Sequence, residues 1–218
     1  MRNELKSNIQ AYIENLLPSN SEAEVLSRNL AADLGLGGIS LSDMEAEILR
    51  FMITLRNPKK IVEIGTLTGL TTLKMASRMG SASEIWTLEK SEVHGKCAQQ
   101  AFDLLPTDLR NRIHLILGDA RVTLSDLVSK GPFEFAFIDG NKSAYLDYAH
   151  WCEKNMTAGA LVMADNVFLG GKVFLGSEKP DKQTQVMNQF NQYFFQSENW
   201  DASIFPTAEG LLIARKRS

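Results

Sequence analysis

The chain has 218 residues, of which 44% are hydrophobic and 22% charged, with a formal net charge of −3. That length supports one α/β domain with a substantial core, and the acidic balance removes the electrostatic footprint of a protein that binds long nucleic acid. No apolar run approaches the roughly 20 residues needed to span a bilayer, and two cysteines, Cys97 and Cys152, form neither a framework nor a Cys-x-x-Cys pair.

The first residues, Met1 to Lys6, mix charges and lack the apolar stretch of a signal peptide. A cytoplasmic protein with reduced cysteines is therefore expected. Ile9, Tyr12, Ile13 and Leu16 recur at helical spacing until Pro18-Ser19-Asn20-Ser21 breaks the pattern. Ser21 with Glu24 resembles a capping box for a second helix reaching Leu34, which Gly35-Leu36-Gly37-Gly38 ends. Ser42 can cap a third helix carrying Ile48, Leu49, Met52 and Leu55.

From Lys60 onward the pattern alternates. Strands are predicted at Ile61–Ile64, Glu84–Leu88, Ile113–Leu117, Phe133–Ile138 and Ala160–Ala164, with helices around 70–79, 91–104, 121–129 and 143–155. Such alternation implies a largely parallel sheet covered on both faces. After Gly170 to Lys182, one more helix over 184–196 and two strands, Ala202–Phe205 and Leu211–Ala214, complete the chain. The last two are joined through Thr207-Ala208-Glu209-Gly210, which suggests a closing hairpin. The expected organisation is a single domain over 1–218, with a helical cap over 1–56 and an α/β core over 57–218. Arg215-Lys216-Arg217 reads as a solvated tail.

The most informative stretch is Lys60-Ile61-Val62-Glu63-Ile64-Gly65-Thr66-Leu67-Thr68-Gly69: strand, glycine loop, helix start. Glycine lets the backbone approach a ligand, and the free N–H groups of the helix start face it. The Gly-x-x-x-Gly spacing matches neither the dinucleotide fingerprint nor a phosphate loop. With acidic Glu63 beside it, the loop suits a cofactor that is cationic at this point, and S-adenosylmethionine leads. An ordinary strand-to-helix turn gives the same pattern.

In a parallel sheet, ligands sit at the carboxyl ends of the strands. Glu89 ends the second strand, where a carboxylate can accept from both ribose hydroxyls; with Lys90 next door it also fits a surface ion pair. Gly118-Asp119-Ala120 follows the third and can frame an adenine or form a plain turn. The fourth strand delivers Asp139 and the fifth Asp165-Asn166. Two carboxylates and an amide make an all-oxygen set suited to Mg²⁺, then Mn²⁺ or Ca²⁺, rather than Zn²⁺; the same residues also favour turns and helix caps. Lys142 stands at the mouth of the same cleft. A bound cation nearby disfavours its ammonium form and makes it a usable general base; otherwise it is a surface charge. His94, His114 and His150 show no ligand spacing.

With these residues in place, 39–217 resembles the cation-dependent class I O-methyltransferases, the group of catechol O-methyltransferase, plant caffeoyl-CoA O-methyltransferase and small bacterial relatives. The resemblance rests on the order of Val62 to Gly69, Leu88-Glu89, Gly118-Asp119-Ala120, Phe137-Ile138-Asp139-Gly140-Asn141-Lys142-Ser143-Ala144-Tyr145 and Ala164-Asp165-Asn166-Val167. It implies a doubly wound, Rossmann-like seven-stranded sheet, mostly parallel with an antiparallel last strand, plus N-terminal helices. It also implies that Glu63, Gly65, Thr66 and Thr71 hold the methionine end of the cofactor, that Glu89 binds the ribose, and that Ala120 lies at the adenine. Asp139, Asp165 and Asn166 would bind the metal, with Asp139 near the cofactor's amino group and in the catalytic set beside Lys142. Ile39 to Ala46 corresponds to the active-site mouth, and a homodimer is implied as well. Ile39 stands where many relatives have methionine, Ala46 replaces a glycine, and Ala208-Glu209-Gly210 replaces Gly-Asp-Gly. These departures bear on the acceptor.

The expected reaction is methyl transfer to one hydroxyl of a vicinal dihydroxy aromatic, with Phe168 and Phe174 available to contact the ring. A tRNA hydroxyuridine acceptor is the second reading, against which the acidic balance argues. A non-catalytic nucleotide-cofactor module, with NAD as the rival ligand, is the third.

Overall fold

A computed structural model describes residues 12, 13, 15–176 and 179–218. Of the first expected helix, Ile9 lies outside the described residues; 12, 13, 15 and 16 are helical, with Tyr12 and Leu16 exposed.

Two capping boxes start the next helices. Ser21 and Glu24 cap α1 (Glu22–Asp33), and Ser42 and Glu45 cap α2 (Asp43–Arg56), each serine accepting from the N3 amide while the glutamate accepts from the serine amide. The alternating part then runs β1 (Lys60–Ile64), α3 (Leu70–Ala76), β2 (Glu84–Glu89), α4 (Glu92–Phe102), α5 (Thr107–Arg110), β3 (Ile113–Leu117), α6 (Ala120–Asp126), β4 (Phe133–Ile138), α7 (Tyr145–Asn155) and β5 (Met156–Ala164). The chain closes with α8 (Lys172–Leu175), α9 (Lys182–Gln196), β6 (Trp200–Phe205) and β7 (Leu211–Lys216).

The sheet has seven strands in the order β3-β2-β1-β4-β5-β7-β6. Neighbours pair in parallel except β7, which runs antiparallel to both β5 and β6. The expected fold class is therefore present. Strand order reverses between β1 and β4, and ligands of such sheets sit outside the carboxyl ends at that point.

Both faces of the central strands are buried, which explains their near-continuous apolar runs. In β4, Phe135 and Phe137 face the cluster built with Leu49 and Ile53 of α2 and Met75 of α3. Ala136 and Ile138 face the opposite cluster with Tyr145, Tyr148 and Phe190. Of the apolar residues expected to line α2, Leu49 is buried but Leu55 faces out, and Ile53 takes the inward position. β5 begins four residues before the expected start, because Gly159 at φ 76 accommodates a register shift against β4 rather than ending the strand. α5 and α8, of four residues each, show no periodicity to read.

The helical cap is tied to the core by charge. Buried Glu24 receives Arg50 Nη2 at 2.5 Å and faces Lys74 Nζ at 3.5 Å, while Lys74 donates to Asn20 at 2.6 Å. Burial pulls the Lys74 ammonium down from its ordinary pKa, and Glu24 holds it up. Ser27 of α1 donates to the carbonyl of Thr68 at 2.8 Å, which joins the cap to the glycine loop. Among the described residues no helix is long and apolar enough to cross a membrane.

Removing one partner of a buried ion pair strands the other charge. Arg50→Ala should therefore destabilise the fold by about 3 kcal/mol, read as a lowered midpoint in urea unfolding; a loss under about 0.5 kcal/mol, typical of a surface site, would refute the buried pair.

Candidate active site

A cleft of about 660 Å³ opens at the carboxyl ends of β1, β2, β4 and β5, a size that suits a nucleotide-like cofactor plus a small acceptor. Of the residues singled out in the sequence, Gly65, Thr66, Thr71, Glu89, Ala120, Asp139, Lys142, Asp165 and Asn166 line it. Ile39, Ser42, Met44 and Glu45, from the segment ahead of β1, also line it.

The glycine loop lies against the end of β4. Gly65 sits at φ 105, and a Cβ there would fall 2.4 Å from the carbonyl oxygen of Asp139, so only glycine fits. The amide of Asp139 donates to Ile64 at 2.8 Å and that of Asp165 to Ile138 at 3.0 Å. Parallel pairing thus delivers loop, Asp139 and Asp165 side by side.

Glu63 is not brought to the cleft. It is fully buried behind the loop, where its Oε2 accepts from Thr72 and, at 2.6 Å, from Thr87. Thr87, its own proton committed to Glu63, accepts from Thr66 at 2.5 Å. Burial pushes the Glu63 carboxyl up to about 8 despite these two hydrogen bonds. The sequence expectation of direct contact with the methionine end is corrected to a place under the loop. Alternation explains this: in β1, Glu63 points to the face opposite Val62 and Ile64, toward α3, whose Thr72 it meets.

Glu89 keeps one side toward the cleft while Oε2 accepts from the Leu67 amide and Oε1 from Ser91, both at 2.8 Å. Its carboxylate thereby holds the loop residue Leu67, whose φ of 50 lies in the left-handed region. Asp119 caps α6 and is gripped by Arg121, which holds its carboxyl well below the ordinary range.

Lys142 Nζ donates to Asp139 Oδ1 at 2.6 Å and to the Tyr145 hydroxyl at 2.7 Å. Tyr145 is the functional residue the sequence did not signal beyond its place in the motif. Its hydroxyl reaches the carbonyl oxygens of Asp165 at 2.9 Å and Ile138 at 3.2 Å, bridging the ends of β4 and β5. Asp139 is raised by burial, against the pull of Lys142. Asp165 is raised to about 7, first by burial and then by the charges of Asp139 and Glu45.

Among the described residues, Asp165 Oδ1 and Asn166 Oδ1 are buried without a hydrogen-bond partner, as are Glu45 Oε1 on the cleft wall and Glu63 Oε1 beneath the loop. Buried polar atoms are normally paired, and a carboxylate this deep is costly unless it is protonated or paired with a cation. An all-oxygen set with orphaned lone pairs fits a hard divalent ion. Asn166 sits at φ 60, and the loop after it is pinned by Val167 and Phe168 amides donating to Gly210 and Glu209 at 3.1 and 2.9 Å. Phe168 packs on the core and Phe174 stands 65% exposed; neither lines the cleft, whereas Ala208 and Glu209 do.

A family model described as O-methyltransferase matches residues 19–217. A catechol O-methyltransferase of Niastella koreensis is 31% identical over 94% of this chain and 92% of its own length. One from Mycobacterium tuberculosis is 27% identical over 79% and 77%. Among solved structures, an O-methyltransferase from Bacillus cereus in complex with SAH superposes with a TM-score of 0.88 at 24% identity, covering 96% of this chain and 97% of that one. The O-methyltransferase TomG from Streptomyces achromogenes, in complex with SAM, gives 0.86 at 22% identity over 97% and 96%.

Between the ordinary carboxyl value of 4.5 and about 8, folded Glu63 keeps a proton that the unfolded chain has lost, so stability falls as pH rises through that window. Glu63→Gln keeps an acceptor for both threonines and removes the titration. Its melting temperature relative to the parent should climb between pH 5 and pH 8 by on the order of 5 °C; a pH-independent difference by scanning calorimetry would contradict the buried neutral acid.

Proposed function

The chain belongs to the O-methyltransferase family, and from that premise we propose that it moves the methyl group of S-adenosylmethionine to one hydroxyl of a vicinal dihydroxy aromatic. A divalent cation, Mg²⁺ before Mn²⁺ or Ca²⁺, is held by Asp139, Asp165 and Asn166. The observation that carries this reading is the pair of unpartnered buried oxygens on Asp165 and Asn166 beside Asp139. The printed names of the relatives support the acceptor class, and the ligands of the two solved neighbours support the donor.

The chain's own residues divide the work. Gly65 lets the loop backbone come close to the donor, with Thr66 and Thr71 beside it, and Glu89 accepts from the ribose. Ala120, small and at the start of α6, leaves room for the adenine. A divalent cation in the oxygen set supplies Lewis acidity that lowers the acceptor hydroxyl below the usual phenol value of about 10. Lys142 in its amine form accepts the hydroxyl proton at Nζ, and the ammonium so formed is received by Asp139 and Tyr145, its present partners. The walls keep donor and acceptor together, and proximity with alignment is the main source of rate. The proposed assembly is a homodimer, supported by outward apolar Phe51 and Leu55 on α2; sedimentation at the mass of one 24.3 kDa chain would oppose it.

The deciding assay uses labelled cofactor with a panel of diphenols and hydroxylated nucleosides. A diphenol should be methylated, EDTA should abolish turnover, and Mg²⁺ should restore it. Asp165→Ala should lose more than about a hundredfold in kcat while binding SAH normally. Full activity in EDTA would exclude the cation-assisted mechanism, and methylation of hydroxyuridine alone would move the acceptor to tRNA.

A further inference from the structure

Strand order separates the two ends of the cleft. Where the cleft opens, the sheet runs β2, β1, β4, β5, β7. Glu89 and the glycine loop therefore lie on one side of the oxygen set, and the hairpin loop between β6 and β7 lies on the other. Four strand spacings, roughly 19 Å, separate β2 from β7. An acceptor held at the ends of β4 and β5 has the methyl donor on its β1 side. A ring substituent pointing away from the donor then runs toward β7.

The hairpin loop is held there by its backbone. The Phe168 amide donates to the Glu209 carbonyl at 2.9 Å and the Val167 amide to that of Gly210 at 3.1 Å, directly after Asn166. The Gly210 amide donates to Thr207 Oγ1 at 3.1 Å, and at φ 78 a Cβ on Gly210 would fall 2.6 Å from the Phe168 ring. On this pinned turn Glu209 is half-buried and lines the cleft, with small Ala208 beside it. Among the described residues its carboxylate has no hydrogen-bond or ion-pair partner. The cations that line the cleft are Lys142, held by Asp139 and Tyr145, and Lys90, paired with Asp119 after β3. Neither stands on the β7 side, where an acidic substituent would meet Glu209 instead.

We propose that Glu209 is a specificity-determining residue that receives a cationic substituent of the diphenol ring, an alkylammonium foremost, so that amine-bearing acceptors are preferred to carboxylates and CoA esters. The inference rests on the acceptor reading above and adds the charge of the substituent to it. An alkylammonium is charged at neutral pH, as lysine is with its pKa of about 10.4. A partly exposed ion pair gives a modest discrimination, about fivefold.

The test compares three diphenols that differ at one ring position, bearing an aminoethyl, an ethyl or a carboxyethyl group, with labelled S-adenosylmethionine and Mg²⁺ at neutral pH. In the parent protein kcat/KM should fall about fivefold from aminoethyl to ethyl, and about fivefold again to carboxyethyl. Calorimetric affinity for the SAH-bound protein should follow the same order. Glu209→Gln keeps the size of the side chain and removes its charge, so both ratios should shrink to within about twofold. Glu209→Lys should invert the order. Equal treatment of the three acceptors by the parent overturns the role of Glu209 while leaving the diphenol reading in place. So does an order that survives in Glu209→Gln, even if all three rates drop together, since a disturbed hairpin would slow every acceptor alike. A parent protein that methylates none of the three overturns the acceptor reading itself, and this inference with it.

Discussion

The close approach of Gly65 to the carbonyl of Asp139 is the constraint from which the rest of the site is built. With no side chain at Gly65, the loop after β1 and the loop after β4 touch backbone to backbone. Any larger residue would wedge the two strand ends apart by more than a heavy-atom contact allows. Held this way, the glycine loop and the residue that carries the Asp139 carboxylate share one peptide neighbourhood. The ladder carries the same spacing to Asp165 through Ile138, and Tyr145 locks β4 to β5 from beneath.

Charge in this cleft is arranged by depth. Glu63, under the loop, is kept neutral by burial and used as a hydrogen-bond acceptor for threonines. Asp139 is neutralised in part by Lys142, whereas among the described residues no cationic side chain hydrogen-bonds Asp165. Glu89, nearer the surface, spends its charge on backbone amides and keeps open lone pairs. The same residue type thus serves three purposes, and solvent access together with local partners decides which.

Much of this was legible in the sequence because strand ends are legible. Ile113–Leu117 and Phe133–Ile138 fall at their expected bounds, since apolar runs stop abruptly at polar residues. Nine residues at strand ends, in the loops after them or in the first turn of the next helix lie in one cleft for the same reason. Glu63 was misplaced because adjacency in sequence to a ligand loop says nothing about which face of a strand a side chain takes. Tyr145 gave no signal, as its role depends on a hydroxyl meeting two carbonyls across separate strands. The four-residue α8 and the bulge at Gly159 lie below the reach of any periodic pattern.

Position 166 illustrates how narrow the choice of residue can become. Its backbone lies at φ 60, a conformation that β-branched and bulky side chains resist, and in the proposed cation site its side chain would offer an uncharged oxygen beside the carboxylates of Asp139 and Asp165. Glycine would meet the first demand and fail the second; aspartate would meet the first and add a further negative charge; glutamine would supply the oxygen one methylene too far out. On that proposal asparagine reconciles turn geometry with electrostatics, and the shape of the main chain narrows the chemistry the position can offer.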